Sequence, residues 1–283
     1  MLNFVYYPVS FILWCWHQVF GLVLDHNSLI AWALAIVFLV LTLRAVMLRP
    51  TIAQTRSMRR MQKIAPQVAA LKTKYARDRD RQLRETQALH KEHGVNPLTG
   101  CLPMLVQIPV FIGLNHVLRN FTQYPDRPNY YFSAIDVQSY LQATVFGAHL
   151  GDALFNTGLL SAHPVTWMWS IAPLVIPLLL VSAAAMHLTA RVTTAASNDN
   201  SQAAMMSTLS LWVFPIGMLA AGALLPVGLL IYVVSGNIWT LAQQRLVFAV
   251  LDREESAAGD VKAGSSATTH PRRSRRGAEA TRR

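Results

Sequence analysis

Five apolar stretches, Leu29 to Leu48, Cys101 to Phe121, Trp167 to Ala190, Ala204 to Ala221 and Leu224 to Gln244, alternate with segments of very different polarity. A helix rises about 1.5 Å per residue, so each stretch is close to the roughly 20 residues that cross a bilayer core. The pattern predicts an all-α polytopic membrane protein with a five-span core. The connections also differ in kind. Residues 49–100 carry twelve Lys and Arg against four Asp and Glu, whereas residues 122–166 carry one Arg and three Asp. Basic connections stay on the cytoplasmic side, which puts the first inside and the second outside. Alternate crossings then give an external N-terminus and a cytoplasmic C-terminus.

Residues 49–100 have an order of their own. Met58, Met61, Ile64, Val68, Leu71 and Tyr75 recur in steps of three and four, so they share one stripe of a helix, with Arg59, Arg60, Lys63, Lys72 and Lys74 elsewhere on it. A second, poorer stripe includes Leu83 and Leu89, with the bend between Ala76 and Arg81 and a kink or fresh helical turn at Pro66. Two such helices bury their stripes against each other as a cytoplasmic helical hairpin; the alternative is a solvated positive-inside loop with no partner. The hairpin's exposed methionines suit varied apolar partners, which makes Met58, Met61, Arg59 and Arg60 candidate contact residues.

At the N-terminus, Phe4 to Leu24 holds no charged residue until Asp25 and is dense in aromatics, among them Phe4, Tyr6, Tyr7, Phe11, Trp14, Trp16 and Phe20. A signal peptide would need a basic n-region and small residues at its cleavage site, and neither is present. An interfacial helix fits the aromatic bodies with polar tips, and a sixth span remains the alternative. The chain therefore divides into an N-terminal interfacial helix (1–28), a first span (29–48), the hairpin (49–100), a second span (101–121), an external loop (122–166), spans three to five (167–247) and a disordered basic cytoplasmic tail (248–283).

Composition agrees. The 283-residue chain is 53% hydrophobic and only 14% charged, with a mean hydropathy of +0.31 and a net charge of +11. That excess lies beside the spans and in the tail, so it reports orientation and lipid headgroups and not DNA. Cys15 and Cys101 fall at opposite faces on this topology, which excludes a disulfide between them, and neither has the spacing of a metal site.

One residue breaks the apolar cores. Arg44 is a permanent cation inside the first span, and no other Asp, Glu, Lys or Arg interrupts the interior of any span. Holding a guanidinium at the bilayer centre costs about 2.5 to 3.5 kcal/mol on insertion scales unless water or polar groups reach it. Gln107 lies six residues past Cys101 and Arg44 six before Pro50, so both sit about 9 Å in from the cytoplasmic end of neighbouring spans. Facing one another, they predict a wet pocket open to the cytoplasm. Alternatively Arg44 snorkels to the near interface and Gln107 bonds a neighbouring helix.

At these positions the chain resembles the YidC/Oxa/Alb3 membrane protein insertases, and among them the actinobacterial members. The matching pieces are Leu43-Arg44 with Pro50, Gln54 to Met58 leading into Met61-Gln62 and Pro66, Asn96-Pro97-Leu98-Thr99-Gly100-Cys101-Leu102-Pro103 with Gln107 to Phe111, and Pro226 with Gly228, Tyr232 and Gln243-Gln244. The resemblance implies a groove lined by Arg44, open to cytoplasm and lipid and closed outside, which draws in acidic tails of nascent membrane protein clients. It carries Gln107 and Tyr232 over as groove residues, with Val233 in place of a second tyrosine. Thr42 is a further candidate, two residues before the arginine, where some relatives place a threonine four before it. Anionic lipids are expected at the basic segments, and the implied wider partners are the ribosome and the Sec translocon.

The resemblance implies no enzymatic chemistry and no cofactor. Consistent with that, there is no Gly-x-x-x-x-Gly-Lys-Ser/Thr for nucleotide binding, no Gly-x-Ser-x-Gly and no pair of intramembrane aspartates. A transporter or channel is the alternative class; it would need polar residues through the whole bilayer, and the external halves of the spans lack them. The expected location is a bacterial plasma membrane, as a multi-pass protein.

Overall fold

The computed structural model describes residues 3–94, 102–145, 147–156, 166–194, 205 and 207–267. The block Asn96 to Cys101, His163, the connection 195–204 and the arginine run from Arg272 lie outside them. Residues 1–244 form one compact unit and residues 245–283 a second.

Helix α1 covers Asn3–Gly21 and α2 covers Leu29–Val46, with Ser28 capping α2 by accepting from the Ile30 N–H. Helix α2 buries Leu29, Trp32, Ile36, Leu39 and Val40, the spacing of a single face. It stops at Val46, two residues short of the expected end. Pro50 explains the stop, because its ring would collide with the Val46 carbonyl in a continuous helix. Met47 takes a non-helical geometry (φ −86°, ψ 4°), and α3 starts at once, running Leu48–Lys74 with Pro66 inside it and no break there.

Helix α4 (Arg79–Glu92) completes the hairpin, its N-terminus capped by Asp78 accepting from the Arg81 N–H at 3.0 Å. Ile64 is 3% exposed, and Met61, Val68, Leu71 and Tyr75 are half-buried, as the stripe requires. Met58 faces outward. The second stripe differs from expectation: Leu83 is 61% exposed, and the sheltered positions are Gln82, Thr86, Leu89 and His90. One leucine at the wrong phase does not pull a helix round when its neighbours on the true face are long and partly apolar.

Helix α5 (Leu102–Gln123) follows, with Pro109 inside it. The segment after α5, expected as an external loop, is more organised than a loop. Ser133 and Asp136 form a reciprocal capping box that starts α6 (Ala134–Gln142). Two short antiparallel ladders follow, β1 (Thr144–Val145) with β2 (Ala148–His149), and β3 (Phe155–Asn156) with β4 (Thr166–Trp167). A 3₁₀ turn at Trp169–Ile171 leads into α7 (Ala172–Thr194). Trp167 and Trp169 stack at 5.3 Å with their rings exposed, the placement of an aromatic belt.

The fourth apolar stretch contains a π-helical turn over Leu209–Val213, in which the Phe214 N–H reaches the Leu209 carbonyl. Helix α8 (Phe214–Gly222) continues it, and α9 spans Val227–Ala267. Pro215 cannot donate to the Leu211 carbonyl one turn back, and His187 of α7 donates there instead, at 2.7 Å. The first free N–H groups of α9 are met by the segment between α5 and α7: Val227 donates to Asp152 O (2.8 Å) and Gly228 to Leu150 O (2.9 Å).

The second unit departs from the disordered tail expected over 248–283, since α9 stays helical as far as Ala267. Residues 245–258 contain neither proline nor glycine and are mostly good helix formers. Residues 268–283 lie outside the described residues.

Trp32 is the centre of the core. Its ring stacks on His17 of α1 at 3.8 Å and lies within 6 Å of Phe121, Phe132 and Tyr140. Its Nε1 donates to Ser139 Oγ, which in turn donates to the His26 carbonyl. A buried indole keeps its polar atom satisfied this way. Among the described residues, Leu29–Val46 and Trp169–Thr193 are by themselves long and apolar enough to cross a membrane. Leu209–Gly222 is apolar but shorter, whereas α5 and α9 carry polar side chains, Gln107 and Tyr232 among them, that enter the site described below.

Candidate functional site: a polar face on the last helix

Arg44 lies in the last turn of α2, four residues after buried Val40, so it extends the inward face of that helix and not its lipid face. The half-buried guanidinium points at α9, where Nη2 donates to the Gly236 carbonyl at 3.5 Å. One turn earlier on α9 stands Tyr232, only 2% exposed, whose hydroxyl accepts from Gln107 Nε2 of α5. The ring of Phe111, one turn beyond Gln107, lies 6.3 Å from the Tyr232 ring.

Arg44 and Gln107 are therefore linked through α9 and not face to face. Each sequence alternative contributed a part. Gln107 does bond a neighbouring helix, and Arg44 turns into the bundle and not toward the interface. Their partners Tyr232 and Gly236 lie four residues apart, so the two contacts fall on successive turns of α9, about 6 Å apart along the helix axis.

The polar face runs on down α9. Asn237 Nδ2 donates to buried Ser182 Oγ of α7 at 2.7 Å, Thr240 Oγ1 donates to the Gly236 carbonyl at 2.8 Å, and Trp239 Nε1 donates to Gln243 Oε1 at 2.7 Å. Tyr232, Gly236, Trp239, Thr240 and Gln243 follow steps of three and four, one continuous stripe. A search for charges alone passes over it, because glycine, hydroxyl and amide residues carry none. Their helical spacing from Tyr232 was the available signal.

Thr42 is placed differently. Two residues from Arg44 is about 200° around the helix, so Thr42 faces α1. Its hydroxyl accepts from Trp16 Nε1 at 2.9 Å and donates to the Phe38 carbonyl at 2.7 Å. Met58, Met61, Arg59 and Arg60 lie on α3: Met58 and Arg60 are exposed, Met61 and Arg59 half-buried. Among the described residues, the hydrogen bond of Arg44 goes to Gly236 and not to any of them. Among the described residues no group of His, Cys, Asp and Glu is arranged to hold a metal ion, and Cys15 carries a free thiol.

Helix α1 is fastened at two levels to the segment 131–136. Ser10 Oγ accepts from the Tyr131 N–H (3.3 Å), and Gln18 Nε2 donates to Asp136 Oδ1 (3.3 Å). Tyr6, Tyr7 and Phe11 pack on Tyr130, Tyr131 and His116. Tyr130 adopts φ +54°, uncommon for a residue with a side chain, and a pair of hydrogen bonds between Asn129 and Phe132 holds it there. Burial lowers the pKa of His17 below the ordinary imidazole value; the His26 ring adds to the shift, while the His26 carbonyl and Asp136 oppose it.

Comparison with known proteins supplies the family. The sequence profile of the 60Kd inner membrane protein family matches residues 8–254. The membrane protein insertase YidC of Mycobacterium tuberculosis (strain ATCC 25618 / H37Rv) is 40% identical over 274 residues, covering 90% of this chain and 75% of the relative. That of Mycobacterium leprae (strain TN) is 38% identical over 274 residues, covering 90% and 72%. That of Streptomyces avermitilis is 32% identical over 257 residues, covering 87% and 58%. A solved structure, described as an active YidC insertase crystal structure with the first transmembrane domain resolved, superimposes with a TM-score of 0.52 at 22% identity. It is matched by 83% of this chain, which spans 45% of its length. At that identity the likeness concerns the fold.

Proposed function

The chain belongs to the 60Kd inner membrane protein family, and from that membership we propose that it inserts client transmembrane segments into the bacterial plasma membrane along the polar face of α9. Arg44, Gln107 and Tyr232 line the client path, and Thr42 anchors α1 beside it. The single observation that carries this reading is Arg44 itself: a half-buried guanidinium in the last turn of α2, turned inward onto a backbone carbonyl and, among the described residues, not paired with an acid.

The proposed topology has five spans, α2, α5, the helix from Trp169, the helix through Phe214 and the apolar part of α9, with the N-terminus outside and the α3–α4 hairpin and C-terminus in the cytoplasm. Two observations support it. The charge bias of residues 49–100 against 122–166 is one. The other is that Ser10 and Gln18, eight residues apart on α1, both bond the segment 131–136. A helix fastened at two levels to one external segment lies along the interface; a span would carry its ends to opposite faces. The contacts of Asp152 and Leu150 with the start of α9 favour a sealed external end.

Insertion on this reading needs no nucleotide. Moving a client's apolar helix from water into lipid supplies about 25 cal/mol per Å² of apolar area. The barrier lies in the polar flank, and a cation set in a polar half-channel lowers it for acidic tails. The hairpin receives clients at Met58, Met61, Arg59 and Arg60, and anionic lipids, the ribosome and the Sec translocon are the wider partners proposed for the basic segments.

Arg44→Ala tests the reading in proteoliposomes. Insertion of a client with an acidic translocated tail should fall about tenfold, the equivalent of one charge-assisted hydrogen bond, with a neutral-tailed client little changed. Equal loss for both clients would overturn the role of the charge.

A further inference from the structure

The partner Arg44 has in the resting protein is a poor one. Among the described residues its one hydrogen bond goes to the Gly236 carbonyl, and 3.5 Å is the outer limit for such a bond. That carbonyl sits inside α9, where the helical ladder gives it the N–H of Thr240, and Thr240 Oγ1 adds a second donor at 2.8 Å. Arg44 is thus a third donor to an oxygen with two lone pairs. A carboxylate, with two charged oxygens and room for both arms of the guanidinium, is the better acceptor.

Residue 236 also decides whether the guanidinium can lie there at all. A Cβ built on Gly236 comes 3.4 Å from Arg44 Nη2, an ordinary contact. Any atom beyond that Cβ on the same side competes for the space of the guanidinium. Glycine is a weak helix former, and here its lack of a side chain opens the α9 backbone to the cation.

We propose that Gly236 is a positioning residue for Arg44: its bare carbonyl docks the guanidinium in the client path, weakly enough that a client's Asp or Glu carboxylate takes its place. This rests on the reading of Arg44 given above. The dock holds the cation against α9 in the absence of client, and arrival of an acidic tail exchanges a crowded neutral acceptor for a charged one. No covalent step is involved. Selectivity for acid over neutral tails thereby depends on a residue that carries no charge.

The test uses the full chain in proteoliposomes with matched acid-tailed and neutral-tailed clients, comparing wild type with Gly236→Ala, Gly236→Leu and Arg44→Ala. Gly236→Ala, whose Cβ fits, should insert both clients within about twofold of wild type, whereas Gly236→Leu should lose roughly fivefold or more on the acid-tailed client alone. The ratio of the two clients is the decisive readout, because a merely structural role lowers both together. Should leucine prevent folding, Gly236→Ser, one atom beyond Cβ, serves the same comparison with a smaller loss. A ratio unchanged in the folded variant, or equal loss of both clients, overturns the proposal. Arg44→Ala separates the two levels: if it lowers insertion of both clients equally, the reading of Arg44 itself fails, and if it lowers the acid-tailed client selectively while the residue 236 variants do not, only the docking role falls.

Discussion

Arg44 stands out in the sequence because a charge in an apolar run is expensive wherever it points, but the direction it takes is a tertiary matter. Its partner is 192 residues away and is a main-chain oxygen, which no side-chain pattern announces. Thr42 shows the complementary limit. Proximity in sequence to Arg44 suggests a shared role, yet the helical turn sends its hydroxyl to Trp16, which lies 26 residues back on another helix. Thr42→Val should therefore act on stability. It strips the indole N–H of its acceptor, at a cost of about 1 to 3 kcal/mol, and should lower the melting temperature in detergent by several degrees while leaving the acid-to-neutral client ratio unchanged. A changed ratio at unchanged stability would return Thr42 to the client path.

At the level of elements, the apolar runs coincide with helices α2, α5, α7 and the start of α9, and the three-and-four spacing of Met61, Ile64, Val68 and Leu71 with α3. Their ends were set by chemistry that a hydropathy run does not weigh, as with Pro50 acting on Val46 four residues back. Helix α6 lay within reach, since Ser133 and Asp136 have the spacing of a capping box, but polar surroundings disguised it as loop. The Ala/Gly/Ser/Thr-rich approach to the arginine run suggests disorder in the tail, whereas the stretch before it, residues 245–258, is made mostly of good helix formers.

The seating of α1 on α2 makes a prediction about pH. His17 is fully buried against Trp32, with Nε2 3.2 Å from the His26 carbonyl, and burial sets its folded pKa below the unfolded value of about 6.5. Between those two values the unfolded chain binds more protons than the folded one, so stability rises with pH. The contribution is complete above about pH 6.5 and is lost as pH falls toward the folded value. His17→Phe, which keeps a ring on Trp32, should flatten that part of the melting-temperature profile measured from pH 7.5 to 5. A profile with the same slope in wild type and variant would place the acid sensitivity elsewhere, with His26 and Asp136 the nearest titratable groups.

For the whole molecule, the account depends on asymmetry across the membrane: a polar face on α9 reaching Arg44 from the cytoplasmic side, and an external end sealed by the packing of Trp32, the α6 segment and the loop that caps α9. Labelling a thiol at position 44 tests this most directly. In a background with Cys15→Ser and Cys101→Ser, Arg44→Cys is exposed to a membrane-impermeant thiol reagent in inside-out and right-side-out vesicles. The account predicts labelling from the cytoplasmic face alone. A thiol that reacts from outside, or from neither face in folded protein, would contradict it.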